Sequence, residues 1–152
     1  MLINSLDKIL DNLIDISRKA GAEILDVYKD SFEVTLKDDL SPLTDADRRA
    51  NDVITLMLES LYPEIPILSE EGTTIDYNDR KNWKEFWLID PLDGTKEFVK
   101  RNGEFTVNIA LIHNGNPIMG VIYVPEKEEL YFASEGLGSY KISNFTNEIS
   151  DI

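Results

Sequence analysis

Apolar residues at Leu2, Leu6, Ile9, Leu10, Leu13, Ile16, Ala20, Ile24 and Val27 recur at three- and four-residue intervals. That period predicts one amphipathic helix over residues 5–29. "SFEVTL" (31–36) alternates and is rich in β-branched residues, so it reads as a strand, and "KDDLSP" as a polar turn. A second helix is expected from near Thr44, whose hydroxyl can cap it. It carries Val53, Ile54, Met57, Leu58 and Leu61 on one face and stops at Pro63. "IPILSEEG" is a short strand running into two glutamates, "TTIDYNDRKNWK" a polar surface loop, and "EFWLID" a strand that also ends in acid. "FTVNIALIH" and "NPIMGVIYVP" flank Asn114-Gly115, a hairpin signal, so the sheet there is antiparallel. "ELYFAS" and "GSYKI" add two shorter strands, and "SNFTNEISDI" shows no period. The expected fold class is α+β, two helices packed on an antiparallel sheet of about six strands.

Composition then narrows the chemistry. A chain of 152 residues, 42% of them hydrophobic, can bury a core as one domain. Its apolar stretches fall short of the roughly 18–20 residues of a membrane span, and Asp and Lys interrupt the N-terminal helix, so a cytoplasmic location is the default expectation. The absence of cysteine excludes thiolate metal sites, disulfides and thiol nucleophiles, and a single histidine leaves little imidazole chemistry. A net charge of −14 argues against a nucleic-acid polymer or an anionic membrane as partner. A phosphorylated metabolite would need cations between itself and this surface, and converging Asp and Glu collect cations. Solubility alone accounts for the same charge, so the local arrangement has to decide.

The stretch "IDPLDGT" is the most informative. Pro91 stiffens the chain between Asp90 and Asp93, so the two carboxylates can be aimed at one point. Like charges held that close destabilise a fold unless a cation lies between them, and an oxygen-only donor set points to Mg²⁺ or Mn²⁺ over zinc. Gly94 and Thr95 open a short helix whose free amides favour an anion such as phosphate. A solvated Asp-Gly turn with a cap accounts for the same letters, so on these residues alone both readings stand.

Three patterns together carry a resemblance. Thr44-Asp45-Ala46-Asp47 at a helix start, "ILSEEG" and "WLIDPLDGTKEF" occur in order, and the chain resembles the inositol-monophosphatase superfamily from the first helix to about residue 142. The continuation "KEFVKRNGEFTVNIALI" is similar to the CysQ-type 3'(2'),5'-bisphosphate nucleotidase branch. The resemblance implies a layered α/β/α/β/α sugar-phosphatase fold, of which residues 1–152 form the N-terminal, metal-binding lobe.

It also implies roles. Glu70, Asp90 and the carbonyl of Leu92 would hold a first Mg²⁺, Asp90 and Asp93 a second, and Glu70 a third through water, giving two or three ions. Gly94 and Thr95 would meet the phosphate, with Glu70, Leu92 and Asp93 lining the same substrate site. Asp47 and Thr95 would orient and deprotonate the attacking water. The implied substrate is adenosine 3',5'-bisphosphate, a by-product of sulfate activation, hydrolysed to AMP and phosphate; the runner-up is inositol phosphate or fructose bisphosphate.

Each residue keeps a plainer alternative. Asp47 can complete a capping box with Thr44, and Glu71 is a second-shell or solvated group. Lys37, Lys96, Lys100 and Arg101 either meet phosphate or lie on the surface. His113 is expected in exposed loop beside the Asn-Gly turn. The family's second half brings a Trp-Asp motif that completes the second metal site; here Trp83 and Trp87 precede Lys and Leu. Two readings follow, a nucleotidase lobe or a metal-binding or interaction domain that hydrolyses poorly. A lobe without its partner is expected to expose an apolar face and to dimerise or lose order there.

Overall fold

The computed structural model describes residues 2–30, 42–143 and 148–152. The expected strand at 31–36, the turn that follows and Lys37 lie outside the described residues. Two long helices, α1 (Leu2–Asp30) and α2 (Pro42–Leu61), lie on one side of a seven-stranded sheet. The strands follow chain order: β1 (Ile67–Ser69), β2 (Glu85–Asp93), β3 (Thr106–His113), β4 (Asn116–Val124), β5 (Glu129–Ser134), β6 (Gly138–Ser143) and β7 (Glu148–Asp151). Two short helices, α3 (Tyr77–Arg80) and α4 (Thr95–Lys100), interrupt the connections on either side of β2. The α+β expectation holds, with an added seventh strand in the tail that shows no period.

The helical period translates directly into burial. Leu13, Ile16, Ala20 and Ile24 of α1 and Ala46, Ala50, Ile54 and Leu58 of α2 are fully buried against the sheet. Leu61, counted on the α2 face, instead projects into solvent at the helix end. The sheet answers with Trp87 and Ile89 of β2, Val107, Ile109 and Leu111 of β3, and Val121 and Tyr123 of β4. Successive strand residues point to opposite faces. The intervening positions therefore form a second face, on which Leu88, Ala110, Gly120 and Ala133 lie in one register row and Asn108, Ile122 and Tyr131 in another, with Leu88 and Ile122 exposed.

Two local features differ from the sequence reading. The polar segment after β1 contains a helical turn, α3, capped by the Asp76 carboxylate accepting the Asn78 amide at 2.8 Å. It also serves as a crossover, because β1 pairs with β2 in parallel while every other neighbouring pair is antiparallel. The hairpin at Asn114-Gly115 forms as expected: His113 pairs with Asn116, and the two loop residues have φ of 48° and 79°. His113 itself is the last residue of β3, its Nδ1 2.8 Å from Glu85 Oε1, so it belongs to the strand end and not to loop.

Candidate functional site

Parallel pairing of β1 and β2 brings the acids together. Ser69 is in register with Ile89, so Glu70, the residue just past the end of β1, comes beside Asp90 of β2. The Glu70 amide donates to the Ile89 carbonyl at 3.1 Å and holds that register one step beyond the strand. In an antiparallel pair the same two acids would depart in opposite directions.

Asp90-Pro91-Leu92-Asp93 is not a free turn. It continues β2, with Asp90 opposite Asn108 and Asp93 opposite Thr106. Three steps on β2 thus face two on β3, a β-bulge that absorbs one extra residue and re-aims the side chains. Pro91, which cannot donate to a ladder, is accommodated there, and Pro91 and Leu92 are buried while Asp93 is exposed. Gly94 follows at φ 94°, where a Cβ would meet the Glu104 carbonyl and Phe105 Cα at 3.1 Å. That left-handed residue starts α4 and presents Thr95 at its first position.

A trio of rings anchors α4. Phe98 packs on Tyr28 of α1 and on Phe105, with centroids at 5.2 and 5.4 Å, and Tyr28 meets Phe105 at 5.0 Å. Arg101 ends the helix at φ 59°, donates from Nη2 to the Tyr28 carbonyl at 2.5 Å and lies over the Tyr28 ring. These contacts tie α4 to α1.

Asp47 on α2 is the buried member, 6% exposed, and its Oδ1 has no hydrogen-bond partner. Burial, then the charges of Glu71, Asp90 and Glu70, push its carboxyl up to about 7. Asp90 is also pushed up to about 7, by burial, a side-chain hydrogen bond to Glu70 and the charges of Glu70 and Asp93, against a lowering bond from the Leu92 amide. Five carboxylates, Asp47, Glu70, Glu71, Asp90 and Asp93, therefore share one electrostatic neighbourhood. They are not a formed cage: among the described residues, no three Asp, Glu or His side chains gather closely enough to hold an ion as they stand.

The donor set nonetheless fits a hard divalent cation. It is all oxygen, no cationic side chain offsets the raised carboxyls of Asp47 and Asp90, and it contains a buried carboxylate oxygen without a partner. Glu71, set aside in the sequence as second shell or solvated, exerts the largest charge effect on Asp47. Its signal in the sequence was only adjacency to Glu70. Thr95 is exposed, on a helix that packs against α2.

Beside the acids, a concavity of about 1180 Å³ spreads over the helix-free sheet face, with Glu70, Asp90 and Asp93 at one end and Leu88, Ile122 and Tyr131 along its floor. Asp47, Glu71 and Thr95 lie outside it. A floor this apolar suits packing against another apolar layer and offers little to a polyanion.

The fold agrees with comparison to known proteins. The chain belongs to the inositol monophosphatase family, whose pattern covers residues 5–149. It is 49% identical over 129 residues to the 3'(2'),5'-bisphosphate nucleotidase CysQ of Salmonella typhimurium, a match spanning 84% of this chain and 52% of that protein. The Escherichia coli K12 protein of the same name is 50% identical over the same length and shares. Among solved structures, CysQ from Bacteroides thetaiotaomicron superposes with a TM-score of 0.82 at 53% identity, over 90% of this chain and 49% of that one. The extragenic suppressor protein suhB from Bartonella henselae is more distant, with a TM-score of 0.73 at 29% identity over 88% of this chain and 51% of that one. The chain spans about half the length of the curated relatives it matches. No helix among the described residues is long and apolar enough to cross a membrane.

Proposed function

We propose that this chain is the metal-binding lobe of a Mg²⁺-dependent 3'(2'),5'-bisphosphate nucleotidase, hydrolysing adenosine 3',5'-bisphosphate to AMP and phosphate. The observation that carries the proposal is that the parallel register of β1 and β2 puts Glu70 beside Asp90, with Asp47 buried within reach of both charges. Glu70, Asp90, the Leu92 carbonyl and Asp93 would hold two or three Mg²⁺ ions. Bound there, the ions supply charge neutralisation and a water acidified toward hydroxide.

The chain's own residues do the rest. Gly94 and Thr95 offer the amides of the first turn of α4, which helical geometry leaves without intrahelical partners, to the phosphate oxygens. The Thr95 hydroxyl orients the attacking water, and Asp47 accepts the proton passed through Thr95. Without ions that carboxyl is pushed up to about 7 by burial and by its acidic neighbours; cations bound among those neighbours would lower it and leave a carboxylate free to take up a proton. On this reading the bulge between Asp90 and Asp93 would aim both carboxylates at the ions.

The helix-free sheet face is where a second lobe, or a second copy of the chain, would pack. One observation favours a second reading, a lobe that binds metal but hydrolyses poorly by itself: the carboxylates are neighbours without being gathered. Phosphate release from adenosine 3',5'-bisphosphate and from inositol phosphate, with Mg²⁺, for this chain and an Asp93→Asn variant, separates the possibilities. Activity on the nucleotide that the variant loses supports the nucleotidase. Inactivity with retained ion binding supports the incomplete lobe, and preference for inositol phosphate overturns the substrate.

A further inference from the structure

We propose that Asn51 and Ser69 are positioning residues that set the Glu70-Glu71 turn against the helix carrying Asp47. This rests on reading the carboxylates as ion ligands. Asn51 follows Asp47 by one helical turn, so the two project from the same side of α2. Across eighteen residues of sequence, the Ser69 hydroxyl donates to Asn51 Oδ1 at 2.6 Å, in a partly buried contact. The Ser69 Oγ in turn accepts the Glu71 amide at 3.2 Å. The Ser69 carbonyl accepts the Gly72 amide at 3.3 Å and closes the turn.

One hydroxyl thus fastens the acidic turn to α2 and shapes it. Glu70 has a separate hold, since its amide is bonded to Ile89 of β2. Glu71 has no such second strand contact among these bonds, so the Ser69 hydroxyl is what directs its backbone. The Ile89 bond fixes the Glu70 backbone alone, so loss of the hydroxyl loosens the turn that follows and with it the direction of the Glu70 carboxylate relative to α2 and Asp90. Asn51 completes the connection: without its carbonyl oxygen the hydroxyl is no longer aimed and the turn loses its reference to Asp47. Neither residue needs to touch an ion, and groups one step removed from ligands commonly control affinity by about 10–100-fold.

Calorimetric titration with Mn²⁺ tests this on the intact chain, alongside the thermal midpoint without added ion. Ser69→Ala and Asn51→Leu should each weaken Mn²⁺ binding by about 10–100-fold. The double variant should bind no more weakly than the weaker single one, because both changes break one connection. Ser69→Thr, which keeps the hydroxyl, should bind like the unmodified chain, and ion-free midpoints should shift little. If Ser69→Ala does not fold, Asn51→Leu and Ser69→Thr carry the same comparison. Variants that bind Mn²⁺ as the unmodified chain does overturn the positioning role and leave the ion-ligand reading intact. So does a lower midpoint with unchanged affinity, which makes the bond structural only. An unmodified chain that takes up no Mn²⁺ overturns the ion-ligand reading and this role with it.

Discussion

The carboxylates of Asp47 and Glu71 come from different elements, the first turns of α2 and the turn that follows β1, and burial together with the charge of Glu71 raises the Asp47 carboxyl. Two acids in such proximity, one of them buried, raise the free energy of the charged fold. The consequences are measurable without a substrate.

Asp47 and Asp90 are each pushed up to about 7 from an ordinary 3.8. The folded chain therefore binds their protons more tightly than the unfolded chain. Their stabilising contribution is complete below the ordinary value and is lost as pH rises through about 7. The thermal midpoint of the ion-free chain is expected to fall between pH 5 and pH 8, and Mg²⁺ at saturating concentration to restore it at the upper end. A midpoint that climbs across that interval contradicts the shifts.

Asp47→Asn removes the charge at the most buried of these positions. At pH 8 the variant should unfold about 2–4 °C higher than the parent without added ion, the shift that 1 kcal/mol makes in a chain of this size. It should lose hydrolysis at the same time, since amide nitrogen and oxygen cannot take up the proton. Gain of stability with loss of activity is the pattern of a functional group held at a cost; a destabilised variant would mean that Asp47 serves the fold.

Gly21 lies where α1 crosses β4. A Cβ there would come within 2.5 Å of Tyr123 Cε1 and 3.1 Å of Pro125 Cγ. Alanine favours a helix by about 1 kcal/mol over glycine. Overpacking a closed contact costs about 1–3 kcal/mol, and Tyr123 is itself buried, so the clash should win. Urea denaturation of Gly21→Ala should show a net loss; a net gain would mean that the Tyr123 ring yields.

Gly94→Ala places a side chain at φ 94° and 3.1 Å from the Glu104 carbonyl, where glycine alone is unstrained. The expected cost is about 1–3 kcal/mol. Because Thr95 follows directly, phosphate release should fall by more than stability does. Equal activity at a lowered midpoint would separate Gly94 from the site.

Leu88 and Ile122 are 44% and 47% exposed on the helix-free face. If that face receives a second copy, size-exclusion chromatography should show a dimer that Ile122→Lys dissociates. A monomer at all concentrations removes self-association from the account.

Much of this was legible in the letters, for physical reasons that differ by element. The helices announce themselves because one buried face repeats every 3.6 residues, and the hairpin because only Asn-Gly readily supplies two positive φ angles in succession. The parallel partnership of β1 and β2 was not legible, since the polar segment between them carries no period that tells a crossover from a loop. That partnership is nevertheless what brings Glu70 to Asp90. The bulge at Asp90-Asp93 was read as a turn because Pro and Gly mark both. Asn51 and Ser69 gave no signal, being common polar residues eighteen positions apart whose meeting depends on the folded register. Asp47 was legible as a candidate, while its burial, which decides its chemistry, required the packing of α2 on the sheet.

Divalent cations are proposed to draw these carboxylates together. Isothermal titration of the chain with Mg²⁺ at pH 7.5, in two buffers of different ionisation enthalpy, measures ion uptake and proton release together. The account predicts saturable binding that releases protons, because Asp47 and Asp90 are partly protonated near that pH, and weaker binding with less release in Asp90→Asn. Absence of binding, or binding that Asp90→Asn leaves unchanged, would contradict it.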